Sequence, residues 1–333
     1  MVEKLLTIVV AAYNCSTTLD CIFEHLLACE RLDKLEVVVV NDGSKDNTSA
    51  VAHRYADQYP MWVRVVDKTN GGHGSALSAG FRVARGRYCR PLDGDDWLDE
   101  HGLDALLDRL DRCEADMIVS DVETKNLDTS DSVIKSWELP AGDSLTVADL
   151  VPLRYLPGYH AIIFATEILK EIPELDNHCF YVDNEYNVYP LFDVKKLIYY
   201  PEVVYVHTVG NGEQSTSIQS LIKNRNNLQT VFFSLMRYAE QHAENTPAVA
   251  VARRFACSQL VIFTAVAFII DSKEGKMELH AMYVKVRDRY PEFYRTMDVA
   301  RTGKLYRSLH LHGYGLIRLL INAKHRGNPH IIW

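Results

Sequence analysis

The sequence predicts an α/β fold: a mostly parallel central sheet with helices on both faces, followed by a C-terminal helical region. Three observations carry this. Apolar runs of strand length alternate with helix-compatible segments through the first third of the chain. The first two runs are almost continuously hydrophobic, which is how strands covered on both faces read. After Ser217 strand-like runs cease, and long segments of helical periodicity take over.

Residues 6–11, 36–40, 63–67 and 88–92 are the first four strands, and 16–30, 48–59 and 74–85 are the helices between them. Ser16 and Asn47 are placed as their caps. Strand, helix, strand in repetition requires parallel pairing through crossovers. A helix over 101–113 leads to a strand over 116–120. The pattern then becomes irregular around Pro140, Gly142, Pro152, Pro157 and Gly158, before strand-like pieces at 161–165 and 197–207. Helices are expected over 221–243, 248–270 and 277–290, so a boundary near residue 212 divides the chain into 1–212 and 213–333. The apolar stretch 260–270 is shorter than the roughly 18 to 20 residues that span a bilayer, and it predicts a buried helix.

Composition narrows the function. A formal net charge of -8 over 333 residues disfavours a general nucleic-acid binder, which needs a clustered basic surface to neutralise phosphates. The seven cysteines form no C-x-x-C pair and read as free thiols of a reducing compartment. The first residues lack the small-residue cleavage site of a signal peptide. The expectation is a cytoplasmic protein, peripheral at the inner face of the membrane if its tail binds there. That tail mixes Arg301, Lys304, Arg307, Arg318, Lys324 and Arg326 with Leu, Ile, Tyr and Trp333, the composition of one basic amphipathic helix or of a solvated end-helix. The helical region is a candidate acceptor wall or homodimer contact.

In open parallel sheets ligands bind beyond the carboxyl ends of the strands. Three such ends are polar: Ala11-Ala12-Tyr13-Asn14, Asn41-Asp42-Gly43-Ser44 and Asp93-Gly94-Asp95-Asp96. Taken singly, each is also ordinary turn chemistry. The third differs, because three carboxylates within four residues repel one another unless a cation or solvent offsets them. A hard divalent ion, Mn2+ or Mg2+, suits oxygen ligands and substrate phosphates, and Gly94 permits close backbone approach.

The order of these motifs resembles glycosyltransferase family 2, inverting enzymes with a GT-A fold (Rossmann-like), over roughly residues 5–210. The resemblance rests on Thr7-Ile8-Val9-Val10-Ala11-Ala12-Tyr13-Asn14, on Val38-Val39-Val40-Asn41-Asp42-Gly43-Ser44-Lys45-Asp46-Asn47-Thr48, on Asn70-Gly71-Gly72-His73-Gly74 followed by Ala84-Arg85-Gly86-Arg87-Tyr88, and on Leu92-Asp93-Gly94-Asp95-Asp96-Trp97-Leu98. It implies that Ala11, Tyr13, Asp42 and Asn70 line the nucleotide pocket, that Asp93 and Gly94 approach the ribose or metal, and that Asp95 binds the metal bridging the diphosphate. Asp96 supports the loop. Phe180-Tyr181-Val182-Asp183-Asn184-Glu185 resembles the region supplying the general base, which implies Asp183, with Glu185 as the second candidate. Asn41, Ala11-Ala12 and Val182 depart from the family pattern. His207 is a candidate further metal ligand, His73 and His160 are candidate phosphate or acceptor contacts, and 210–215 is a candidate closing loop.

The expected activity is transfer of a sugar from a nucleotide-diphosphate donor, a UDP-sugar foremost, to a saccharide or lipid-linked acceptor in polysaccharide or glycolipid assembly. The alternatives are a nucleotide-sugar-binding module without transfer and a nucleotidyltransferase. The latter is disfavoured because no glycine-rich phosphate loop follows the first strand.

Overall fold

The computed structural model describes residues 3–210, 215, 217–297, 299 and 301–325. By its internal contacts the chain divides into two compact units, Met1–Gly212 and Glu213–Trp333.

In the first unit, β1 (Leu6–Ala12), α1 (Leu19–Ala28), β2 (Leu35–Asp42), α2 (Thr48–Gln58), β3 (Val63–Lys68), α3 (His73–Val83) and β4 (Tyr88–Asp93) alternate along the chain. β1 pairs parallel with β2 and β4, and β2 pairs parallel with β3. Their residues are hydrophobic on both sides because both sides are covered. Ile8, Val10, Val37 and Val39 join Phe23, Leu26 and Leu107 in one buried cluster, while Val9 lies against Gly80 of α3 on the opposite face. The polar residues inside this layer are matched: the Thr7 hydroxyl donates to Glu36 at 2.7 Å, and Glu36 pairs with Arg64 at 3.0 Å.

The second half of the sheet is less regular. β5 (Trp97–Leu98), α4 (Glu100–Leu110), β6 (Met117–Asn126), β7 (Ser132–Lys135), β8 (Gly142–Leu145), β9 (Ile162–Ala165), α5 (Thr166–Glu171), α6 (Asp183–Val188) and β10 (Leu197–Val209) follow. The strand order is β3-β2-β1-β4-β9-β6-β10-β5, with β7 on β6 and β8 on β10. β9 runs antiparallel to both β4 and β6, and β6 runs parallel to β10. The carboxyl ends of β1, β2, β4, β6 and β10 therefore share one edge of the sheet. The sheet is mixed, with the longer ladders parallel; the short strands β5, β7 and β8 lie in stretches too polar or irregular to show a period of two.

The caps differ from expectation. α1 begins at Leu19 rather than Ser16, and Thr18 at its N-cap makes no side-chain cap bond. Asn47 holds the N-cap position of α2 but also makes no such bond. Asp46 does the work at both places, accepting from the backbone N–H of Thr48 at 3.0 Å and of Ser16 at 3.2 Å, because a carboxylate has acceptor sites enough for two loops.

The second unit is helical: α7 (Ile218–Lys223), α8 (Arg225–Gln241), α9 (Thr246–Ile269), α10 (Ser272–Arg289), α11 (Pro291–Thr296), α12 (Arg301–Ser308) and α13 (Tyr314–His325). The apolar stretch 260–270 belongs to α9, which at 24 residues is long and apolar enough to cross a membrane by length and composition. It nevertheless buries Val251, Ala256, Leu260, Phe263 and Ala267 within its unit. The tail forms two helices rather than one, since His310 and Leu311 take left-handed backbone angles (φ 51° and 64°) that end α12. Arg326 and Trp333 lie outside the described residues, as do 211–214 of the candidate closing loop.

Close approach of α4 to β10 sets the position of the strand that carries His207. A Cβ at Gly102 would press on the backbone carbonyl oxygen of Val203, an atom with nowhere to move. Gly102→Ala is expected to destabilise the fold by about 1–3 kcal/mol, read as a lower urea midpoint with an unchanged m-value.

Candidate active site

The loops at the carboxyl edge are stitched together by backbone bonds. Ala12 pairs with Asn41 and Ala11 with Asp93 across the ladders. Asn14, in the left-handed region (φ 52°), donates its N–H to Ser44 Oγ at 3.1 Å and accepts from Lys45 N at 2.8 Å. Gly43, at φ 69°, lies so close to the backbone of Asn70 that a Cβ would meet its nitrogen at 2.7 Å. The ends of β1, β2 and β3 are thus held as one wall.

On that wall Asp42 is buried, and its carboxylate accepts from Lys68 Nζ at 2.6 Å and from the N–H groups of Gly71 and Gly72 at 2.9 and 2.8 Å. Asn70 is exposed and donates from Nδ2 to the Asp42 carbonyl at 2.8 Å. Tyr13 is 48% exposed beside the half-buried Ala11. The departure at Asn41 has a local cause: its Nδ2 donates to Asp67 at 2.7 Å, where an aspartate would set two carboxylates face to face.

Next to this wall stands the acidic loop. Asp96 is 2% exposed and accepts from the Thr208 N–H at 2.7 Å, the Tyr205 hydroxyl at 2.8 Å and His207 Nδ1 at 3.1 Å. Asp93 accepts from the Tyr159 hydroxyl at 2.9 Å, and His73 Nε2 and His160 Nε2 each lie 3.7 Å from its oxygens. Burial would raise the pKa of Asp93, but the nearby rings of His160 and His73 and the Tyr159 hydrogen bond outweigh it and bring it down to about 2. Asp95 is exposed and has no salt-bridge partner among the described residues; partial burial and then the charges of Asp96 and Asp93 hold its pKa above the usual carboxylate range. His207 is shifted upward because the Asp96 bond and the neighbouring carboxylates overcome its burial. Its ring stacks on His160 at 4.2 Å between centroids, and one ligand atom from each of Asp96, His160 and His207 fits within 4.8 Å, close enough to share an ion. Gly94 packs over Cys15.

Asp183 opens α6 and faces the same group: its pKa is raised by burial and by the charge of Asp93, opposed by His73 and His160. Glu185 is fully buried and accepts from the Asp176 N–H at 2.8 Å, a structural role that ties the segment before α6 to the helix. Val182 is also buried, so the departure at that position fills core space.

Tyr159, Tyr205, Lys68 and Arg90 belong to this site and were not singled out in the sequence. Arg90 is wholly buried, donates to the His160 carbonyl at 2.8 Å, and places its guanidinium 4.8 Å from the Tyr205 ring centre. A charged residue inside an otherwise apolar strand was the available signal; the tyrosines look like ordinary core.

Burial lifts the Glu185 pKa from 4.5 to about 8, so the folded protein keeps a proton there that the unfolded chain releases above pH 4.5. The resulting penalty is absent below that pH, grows as the pH rises, and levels off above about 8. Glu185→Gln keeps an acceptor for the Asp176 N–H without the charge. Its melting temperature is expected to exceed wild type at pH 8 and to match it at pH 4.5 in paired thermal scans.

Residues 7–172 match the family model described as glycosyl transferase family 2. The chondroitin synthase of Escherichia coli is 30% identical over 147 residues, which cover 43% of this chain and 21% of that protein. The chain spans about a third or less of the length of the first curated relatives it matches. Among solved structures, the crystal structure of Staphylococcus aureus TarS 1–349 with UDP-GlcNAc superposes with a TM-score of 0.66 at 16% identity, covering 97% of this chain and 92% of that one. The mannosyltransferase PcManGT of Pyrobaculum calidifontis, in complex with GDP-Man and Mn2+, superposes with a TM-score of 0.50 at 17% identity, covering 96% of this chain and 86% of that one.

Proposed function

The chain belongs to glycosyl transferase family 2, and we propose that it moves a sugar from a nucleotide-diphosphate donor, a UDP-sugar foremost, onto an acceptor hydroxyl with inversion at the anomeric carbon. The observation that carries this reading is the gathering of Asp93, Asp95, His207 and Asp183 around one sheet edge beside the Asp42 wall. The donors bound to the superposed structures, UDP-GlcNAc and GDP-Man, support a diphosphate donor, and the chondroitin synthase relative supports a saccharide acceptor in polysaccharide or glycolipid assembly.

The residues fit a divalent ion, Mn2+ or Mg2+. Asp95 is an exposed carboxylate crowded by two others, and the Asp96 contact at His207 Nδ1 leaves Nε2 as the ring nitrogen for a ligand bond. Asp95 and His207 would hold the ion, which when bound stabilises negative charge on the departing diphosphate. The protein supplies the rest. Tyr13 offers an open ring face to the base, Ala11 leaves space beside it, and Asp42, locked by Lys68 and two glycine amides, keeps acceptor capacity for a base N–H. Asn70 completes that pocket, while Asp93 and Gly94 meet the ribose and diphosphate side. Asp183 takes the acceptor proton; its raised pKa makes it a better base than an ordinary carboxylate.

Asp183→Asn is expected to lower transfer by roughly 10²- to 10⁴-fold while donor binding persists, measured as nucleoside diphosphate release beside calorimetric donor titration. Asp95→Asn is expected to abolish the metal-dependent part of donor binding. In a thermal-shift screen of UDP-, GDP- and dTDP-sugars with Mn2+, the UDP-sugar is expected to stabilise most and a chelator to erase the shift. A wild-type protein that binds donors yet transfers to no saccharide or lipid-linked acceptor would sink the enzyme reading in favour of a binding module.

A further inference from the structure

The second unit carries a feature that sugar transfer does not use. Between α10, α11 and α12 lies an open cavity of about 440 Å3 whose lining includes Arg287, Arg295, Lys304, Arg307 and His310, with no acidic residue in its walls among the described residues. This is unusual in a chain of net charge -8. Around it, Arg287 is paired with Asp288 at 2.8 Å on the surface, and Arg307 is tied to backbone carbonyls of Tyr294 and Met297. The Nε of Arg307 is buried with no hydrogen-bond partner among the described residues. Arg295 and Lys304 are exposed.

The next helix carries an exposed apolar side. α13 is anchored along one side, where Tyr314 and Ile317 are buried, the Tyr314 hydroxyl donates to the Ala267 carbonyl at 2.8 Å, and its ring stacks on Phe268. On the opposite side Leu316, Leu319 and Leu320 are 57%, 66% and 52% exposed at helical spacing i, i+3, i+4. Three adjacent leucines facing outward are costly in water and are stabilised at a lipid interface.

We infer that this end of the second unit docks on an anionic phospholipid surface, the cationic cavity taking lipid phosphates and the leucine side of α13 entering the headgroup boundary. Charge complementarity selects that occupant: the described lining holds four Arg/Lys residues, Arg287 among them paired with Asp288, so the cavity attracts phosphate, and juxtamembrane cations add to apolar insertion. The inference is independent of the sugar-transfer reading, because it concerns residues outside the site of the first unit.

The test uses the full chain in co-sedimentation with phosphatidylcholine vesicles with and without phosphatidylglycerol. Binding is expected only with phosphatidylglycerol and is expected to weaken as salt rises. Arg295→Glu with Lys304→Glu, and separately Leu316→Ser with Leu319→Ser, are each expected to reduce binding at least about tenfold, with melting temperature and sugar transfer to a soluble acceptor unchanged, since all four side chains are exposed. Equal binding to both vesicle types, or binding insensitive to the charge reversals, overturns the proposal. So does saturable binding of inorganic pyrophosphate without vesicle binding, which would make the cavity a soluble-phosphate site. A dimer in sedimentation velocity that Leu319→Ser dissociates, without vesicle binding, overturns it in favour of a self-association face.

Discussion

The candidate site depends on one buried carboxylate. Asp96 bonds the backbone of Thr208, the hydroxyl of Tyr205 and the ring of His207, and so joins the loop after β4 to the end of β10, two strands that are not neighbours in the sheet. A buried carboxylate persists only when its lone pairs are matched, and here the three hydrogen-bond donors all come from β10. The loop bearing Asp93 and Asp95 is held in register with His207 for that reason. Asp96 is thus a positioning residue for its neighbours in the loop.

Around that tie the edge is electrostatically graded. Asp93 is stabilised as an anion by two histidines and a tyrosine, while burial pushes Asp95 and Asp183 toward their neutral forms, aided at Asp95 by the charges of Asp96 and Asp93. Among three carboxylates near one another, one is thus held below the usual range and two above it, and such separation is how neighbouring acids take different chemical roles. Beneath them Arg90 sits inside the sheet, bonded to the carbonyl of His160 and packed against the Tyr205 ring, so it fixes the histidine that faces Asp93. The Asp42 wall is built by different means: a lysine and two glycine amides hold one carboxylate, and the backbone contact of Gly43 with Asn70 closes the wall.

The departures from the family pattern acquire physical reasons in the fold. Asn41 is an amide because Asp67 faces it, and Val182 is apolar because the start of α6 is packed into the core. Glu185 resembled a second candidate base in the sequence, and three-dimensional burial gives it a backbone N–H to satisfy instead. The misplaced start of α1 has the same origin. Asn47 holds its N-cap position, but Ser16 does not cap α1: its N–H bonds Asp46, and no local rule weighs a residue thirty positions away. The tail read as one helix because periodicity is blind to the two left-handed residues that divide it.

By itself the sequence determined the strands buried on both faces, the acidic end of β4, the order of the motifs and the helical character of the last third, since these follow from local hydrophobic period and from residue types that carry their chemistry wherever they sit. Only the tertiary structure decided that β9 would reverse direction between β4 and β6, that Asp96 would orient His207, that Tyr159 and His160 would flank Asp93, and that Arg90 would lie beneath them. Those relations join residues up to 111 positions apart, and they are set by which buried polar groups find partners once the sheet has formed.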